Sequence, residues 1–187
     1  MSVSPHVPIS LSAGAVATLL VSLFAPQLVP LRLLAFIILL SGYYGVLSWM
    51  GLEKPLNRLA AVFAAYGAIG QVMWLMLPDS PAGFAALYGF AMLAAFLVTS
   101  AAAVHRKGAM QKAGIVGLTG TALPLVALIV GHILLGGFGF IGIGAGAAAV
   151  SGESVIIWPI EAVLTLWALV VSGFLTLSGA TRGENEH

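Results

Sequence analysis

The chain has no cysteine, and among its 187 residues only seven are Lys or Arg and six are Asp or Glu. Without cysteine there is no disulfide framework, no thiolate metal site and no cysteine nucleophile. Charge is the larger deficit. Charged residues make up 7% of the chain, against about 25% in a soluble domain. So few ionised side chains cannot coat a water-soluble globule of this size. They also exclude the clustered basic surface that nucleic acid requires. Disorder is excluded too, because disordered chains are rich in charge and poor in apolar residues. What fills the sequence instead is apolar: 60% of residues, with a mean hydropathy of +1.10. The reading is an all-α integral membrane protein, a single polytopic domain over residues 1–187.

A helix crossing a hydrocarbon core of ~30 Å needs about 20 mostly apolar residues. Six segments approach that length: Ile9–Ala25, Leu31–Met50, Arg58–Leu77, Gly83–Val104, Ala113–Leu135 and Val155–Ser178. Pro26, Pro55, Pro78 and Pro81 fall between them, where a residue that breaks the helical hydrogen-bond ladder belongs. The opening MSVSPHVPIS carries no Lys or Arg, unlike a secretory leader with a basic start. The first segment therefore reads as a retained helix, with room to extend back towards His6. The expectation is a bundle of about six transmembrane helices.

Basic residues orient that bundle. Lys54 and Arg58, then Arg106, Lys107 and Lys112, then Arg182 all fall on one side of a six-span layout, with only Arg32 on the other. Lys and Arg collect on the cytoplasmic side. Both termini are thus expected in the cytoplasm, with residues 179–187 a polar cytoplasmic tail and the membrane a bacterial plasma (inner) membrane. Asp79 and Glu153 fall in outer loops. Gly114, Gly117 and Gly120 in the fifth segment let helices approach closely, for static packing or for sliding.

Polar residues inside apolar spans are costly and usually face the bundle interior. Measured at ~1.5 Å per residue from the outer ends of their spans, Gln71 and Glu161 lie about 9 Å in, Tyr88 about 8 Å and His132 about 5 Å. Arg32 opens the second span on the same side, with Trp74 and Trp158 near it in depth. Glu161, His132, Gln71, Arg32, Tyr88 and Trp158 form the expected ligand- or ion-binding set. Glu161 would accept protons or hydrogen bonds, His132 would switch charge and Gln71 would orient the ligand. On this reading Glu161→Gln abolishes binding while leaving membrane expression intact. The competing reading is interfacial: Glu161 in a first helical turn beside Pro159, Tyr and Trp in an aromatic belt, and Arg32 reaching out to headgroups. The inner half holds mainly hydroxyls, such as Ser48, Thr99 and Ser100, able to bond to their own helices. Pro124 interrupts the fifth span, and Thr119 and Thr121 stand nearby to satisfy the backbone it frees.

The run GGFGFIGIGAGAAAVSGES, residues 136–154, is too apolar for an ordinary loop and too Gly-rich for a clear span. It reads either as a re-entrant segment over the outer polar cluster or as an outer loop. A phosphate-cradling loop would need a strand before it and a helix after it. The four histidines, His6, His105, His132 and His187, include no metal-binding pair, and VSGES is not a nucleophile elbow. No enzyme, metal or cofactor is expected.

The six-helix size, cytoplasmic termini and outer polar cluster resemble, in architecture alone, the small substrate-binding subunits of energy-coupling-factor vitamin transporters; no motif of that family is present. The leading expectation is a membrane transport or ligand-binding subunit that takes a small molecule or ion, with the lipid bilayer around it. The alternative is a non-catalytic subunit of a larger, quinone-linked complex with other membrane subunits as partners. A redox subunit with a single haem through His132 is a third.

Overall fold

Prolines set where the helices begin. Pro8, Pro30 and Pro55 each lie in the first turn of a helix, where a missing N–H breaks no intrahelical bond. The computed structural model describes residues 3–25, 27–77, 82–106, 108–134 and 154–177, without the side chains of 82, 83, 85, 86, 109, 123–125, 127–134 and 154–160. The Gly-rich run, the C-terminal tail and the side chains of His132, Trp158 and Pro124 lie outside the described residues. Among those residues all regular structure is helical: α1 His6–Phe24, α2 Val29–Met50, α3 Pro55–Met76, α4 Ala82–Val104, α5 Ala109–Leu134 and α6 Ser154–Leu177. Each lies within four residues of the boundaries expected from hydropathy, and α1 does extend back to His6.

Among the described residues, four helices are long and apolar enough to cross a membrane: α1, α2, α3, and α4 over Leu87–Val104. The described apolar part of α6, Glu161–Leu177, is shorter. Ile9, Phe24, Ile37, Phe90 and Leu177 stand exposed on the outside of the bundle. Large apolar side chains facing outward on several helices are compatible with an integral membrane protein, whose exterior meets lipid rather than water.

Each helix packs on its neighbour in sequence, α1 closes against α6, and α4 meets α6 across the interior. The tightest seams are made by glycine. Gly14 of α1 lies on the backbone of Ile38 and Leu39, and Gly42 of α2 lies on the backbone of Ser10 and Leu11. The two helices are thus in reciprocal backbone contact, an approach that any Cβ would block. Gly70 does the same for α3 against α4: a Cβ there would stand 2.7 Å from the Tyr88 nitrogen. In α5, Gly114 presses on Ala103 and Val104, and Gly117 on Ser100 and Trp167, whereas Gly120 faces open space. Static packing therefore accounts for the first two of that trio.

Of these pairs, α2 and α3 approach least closely, and long side chains bridge them. The Tyr44 hydroxyl donates to the Ala61 carbonyl at 3.1 Å. Below it, Tyr43, Phe96 and Trp167 join α2, α4 and α6 as an aromatic stack, with Phe96 and Trp167 centroids 4.2 Å apart. The hydroxyls expected to bond within their own helices do more than that. Thr99 returns a bond to Ala95 O but also pairs with Tyr43 at 2.6 Å, and Ser100 accepts from Trp167 Nε1 at 2.6 Å. Thr119 and Thr121 donate to the carbonyls of Ile115, Gly117 and Leu118. The carbonyl that Pro124 frees, one turn back at Gly120, thus receives neither, because each hydroxyl reaches its own preceding turn.

At the far end of the bundle Gly51 closes α2 with φ of 87°, a conformation only glycine adopts without strain. The carbonyls left open there are capped from elsewhere. Asn57 Nδ2 donates to Met50 O at 3.1 Å and to Gly51 O at 2.7 Å, and the Arg106 guanidinium also donates to Met50 O. The α2–α3 and α4–α5 connections, which carry Lys54 and Arg106, therefore stand side by side, with Arg58 in the first turn of α3.

Candidate functional site: a buried ion pair at one end of the bundle

The opposite end holds the polar residues. Arg32 lies one turn into α2 and Glu161 two turns into α6, and both are buried, at 3% and 2% exposure. The guanidinium donates to Glu161 Oε1 at 2.9 Å. Removing two charges from water costs several kcal/mol each, which the pair recovers only through good geometry and further hydrogen bonds. Two supports are visible. The Tyr88 hydroxyl of α4 donates to the same Oε1 at 3.4 Å, a long bond. The Arg32 guanidinium also lies over the Trp74 ring of α3, 4.2 Å from its centroid, an attraction that strengthens when desolvated. Phe36 meets Tyr88 edge-on at 5.5 Å and walls this corner with apolar surface.

Gln71 lies one turn from Trp74, at the end of the buried stripe of α3 that runs through Asn57, Ala60, Ala64, Gly67 and Gly70. Its side chain is fully buried, yet neither Nε2 nor Oε1 finds a hydrogen-bond partner among the described residues. The same holds for Arg32 Nε and Glu161 Oε2. Ser22 of α1 sets its hydroxyl beside the Glu161 carboxylate, outside hydrogen-bonding geometry. Five helices thus converge on a cluster with two free donors and two free acceptors, besides a free hydroxyl.

Of the six expected site residues, Glu161 Oε1 contacts both Arg32 and Tyr88, and Gln71 lies on α3 between Gly70, which packs on the Tyr88 backbone, and Trp74, which carries the guanidinium. The backbones of His132 and Trp158 belong to α5 and α6, but their side chains lie outside the described residues. The interfacial reading does not hold for three of the set. Arg32 does not reach outward, Glu161 is enclosed, and Tyr88 is fully buried rather than part of a surface belt. Ser22 and the cation–π role of Trp74 were not expected. Ser22 is one of many serines in apolar helices and carried no distinguishing signal. Trp74 carried one, its depth beside Arg32, though this pointed more to a surface belt.

The site defines the chain's class no further than an all-helical, apolar bundle with a charged pair sealed inside it. No family model matches the chain, and neither a curated protein nor a solved structure does.

Proposed function

We propose that this protein is a multi-pass membrane transport or ligand-binding subunit that holds a small ligand at the Arg32–Glu161–Gln71 cluster. Six spans cross the bilayer, both termini face the cytoplasm, and the site lies in the outer half of a bacterial inner membrane. Tyr88 lines the site, with His132 and Trp158 contributing from the outer ends of α5 and α6. The observation that carries this reading is the buried, orphaned Gln71 amide one turn from the Trp74 ring that carries the Arg32 guanidinium. Each buried polar group left unpartnered costs about 1–3 kcal/mol, and leucine at this position would avoid the cost. An amide retained there is explained by something that it binds.

Gln71→Leu separates this reading from a packing role. With the orphaned amide removed, the ligand-free protein is expected to unfold at the same temperature or higher, by up to about 1–3 kcal/mol of stability. Ligand retention or uptake is expected to be lost in the same variant. Thermal unfolding of the detergent-solubilised chain, paired with an uptake assay in vesicles, reads both. A variant that is markedly destabilised yet keeps full uptake would make Gln71 a packing residue.

A further inference from the structure

This inference rests on the cluster being a ligand site, and concerns the charge of what enters it. Arg32 and Glu161 contribute one charge of each sign at 2.9 Å. The other groups there are an amide, a phenol, an indole and a hydroxyl, all neutral. The remaining described charged residues, Glu53, Lys54, Arg58, Arg106 and Lys112, lie at or near the opposite end, in the connections after α2 and α4 or the first turn of the helix that follows. Among the described residues the site is therefore balanced before any ligand arrives. A lone monovalent cation or anion would bring an uncompensated charge into an apolar interior, which is strongly unfavourable. A ligand with no net charge avoids that.

The free atoms say more. Among the described residues Arg32 leaves Nε open and Glu161 leaves Oε2 open, each on a group already joined by the 2.9 Å contact of Nη2 with Oε1. A donor is thus free on the positive partner and an acceptor on the negative one, a few bonds apart. Hydrogen bonds between oppositely charged groups are about twice as strong as neutral ones. The groups that gain most here are an anion on Arg32 Nε and a cationic N–H on Glu161 Oε2. We propose that the site takes a small zwitterion of the α-amino-acid class, with its carboxylate on Arg32 and its ammonium on Glu161. The ion pair becomes a closed ring of four alternating charges. The Gln71 amide, free on both its donor and its acceptor, completes the coordination of the same two groups.

The test uses the unmodified chain in lipid nanodiscs, so it depends on no variant folding. The probes are the α-amino acids with uncharged side chains, and for each one that binds, its carboxamide (net cation) and its N-acetyl derivative (net anion). At least one amino acid is expected to raise the unfolding temperature, with both derivatives binding about 10–100-fold more weakly, the loss of one charge-assisted bond. Derivatives that bind as tightly as the parent would overturn the zwitterion while leaving the site in place. A silent panel overturns it as well. If the extracted protein then carries some other small molecule that Gln71→Leu releases, the site itself stands; if it carries none, the proposed function falls with the inference.

Discussion

Glu161→Leu alone is expected to destabilise the bundle by about 3–5 kcal/mol, because it leaves the Arg32 guanidinium buried without a counter-charge. Arg32→Met alone should cost a similar amount by stranding the carboxylate. The double variant is expected to recover most of that loss, since an apolar pair of similar volume carries no desolvation penalty. The prediction is therefore strong non-additivity, read from a double-mutant cycle of unfolding free energies in detergent. The geometry behind it is the 2.9 Å contact between side chains that are 4% and 1% exposed. Single losses below about 1 kcal/mol, adding simply in the double variant, would instead describe a solvated pair of the surface kind. The ion pair also changes what Glu161→Gln should do. The sequence suggested a variant that expresses normally and only fails to bind. With Arg32 dependent on that carboxylate, reduced folded yield is expected as well, so Gln71 is the cleaner position for testing function.

Gly42→Ala is expected, with Gly14→Ala, to be the most damaging methyl addition among the described glycines. The added Cβ falls on the Leu11 amide, and the reciprocal Gly14→Ala falls on that of Leu39. Neither neighbour is a side chain that can swing aside, so α1 and α2 must separate. Overpacking a tight contact costs about 1–3 kcal/mol and occasionally more, and displacement of α1 also disturbs its seam with α6, where Thr165 donates to Ala15 O at 3.1 Å. Gly120→Ala provides the control. Nothing lies within 4 Å of its Cβ position, and replacing a mid-helix glycine by alanine typically gains about 0.5–1 kcal/mol. Opposite shifts in unfolding temperature for Gly42→Ala and Gly120→Ala are the expected result. Equal shifts would mean that the α1–α2 contact is looser than described.

Helix positions were legible because proline and hydropathy act locally: Pro30 and Pro55 open helices, and Pro78 follows the end of one. Which polar residues meet was legible only as depth. Counting residues from the span ends put Arg32, Gln71, Tyr88 and Glu161 at one level, and Glu161 does meet both Arg32 and Tyr88. Direction around each helix was not legible, because apolar residues surround every span and leave little amphipathic signal to mark an inner face. For that reason Glu161 read equally well as interfacial or enclosed. The same blindness hid the α1–α2 seam. Alanine is common throughout, so the small pair Ala13 and Ala17 stood out no more than Gly14, yet Ala13 is exposed and Gly14 is buried on Leu39. The inter-helix pairs Tyr43–Thr99 and Trp167–Ser100 were missed because a hydroxyl in a helix always has its own preceding turn as an alternative partner.

The central claim is that the buried cluster holds a small molecule, and the most direct measurement is native mass spectrometry of the gently extracted chain beside its Gln71→Leu variant. The account predicts an added small-molecule mass on the parent chain, absent from the variant, with the protein itself intact in both. A parent chain that carries no small molecule and travels only in fixed ratio with other subunits would contradict it. The ion pair would then be a structural element of a larger membrane complex.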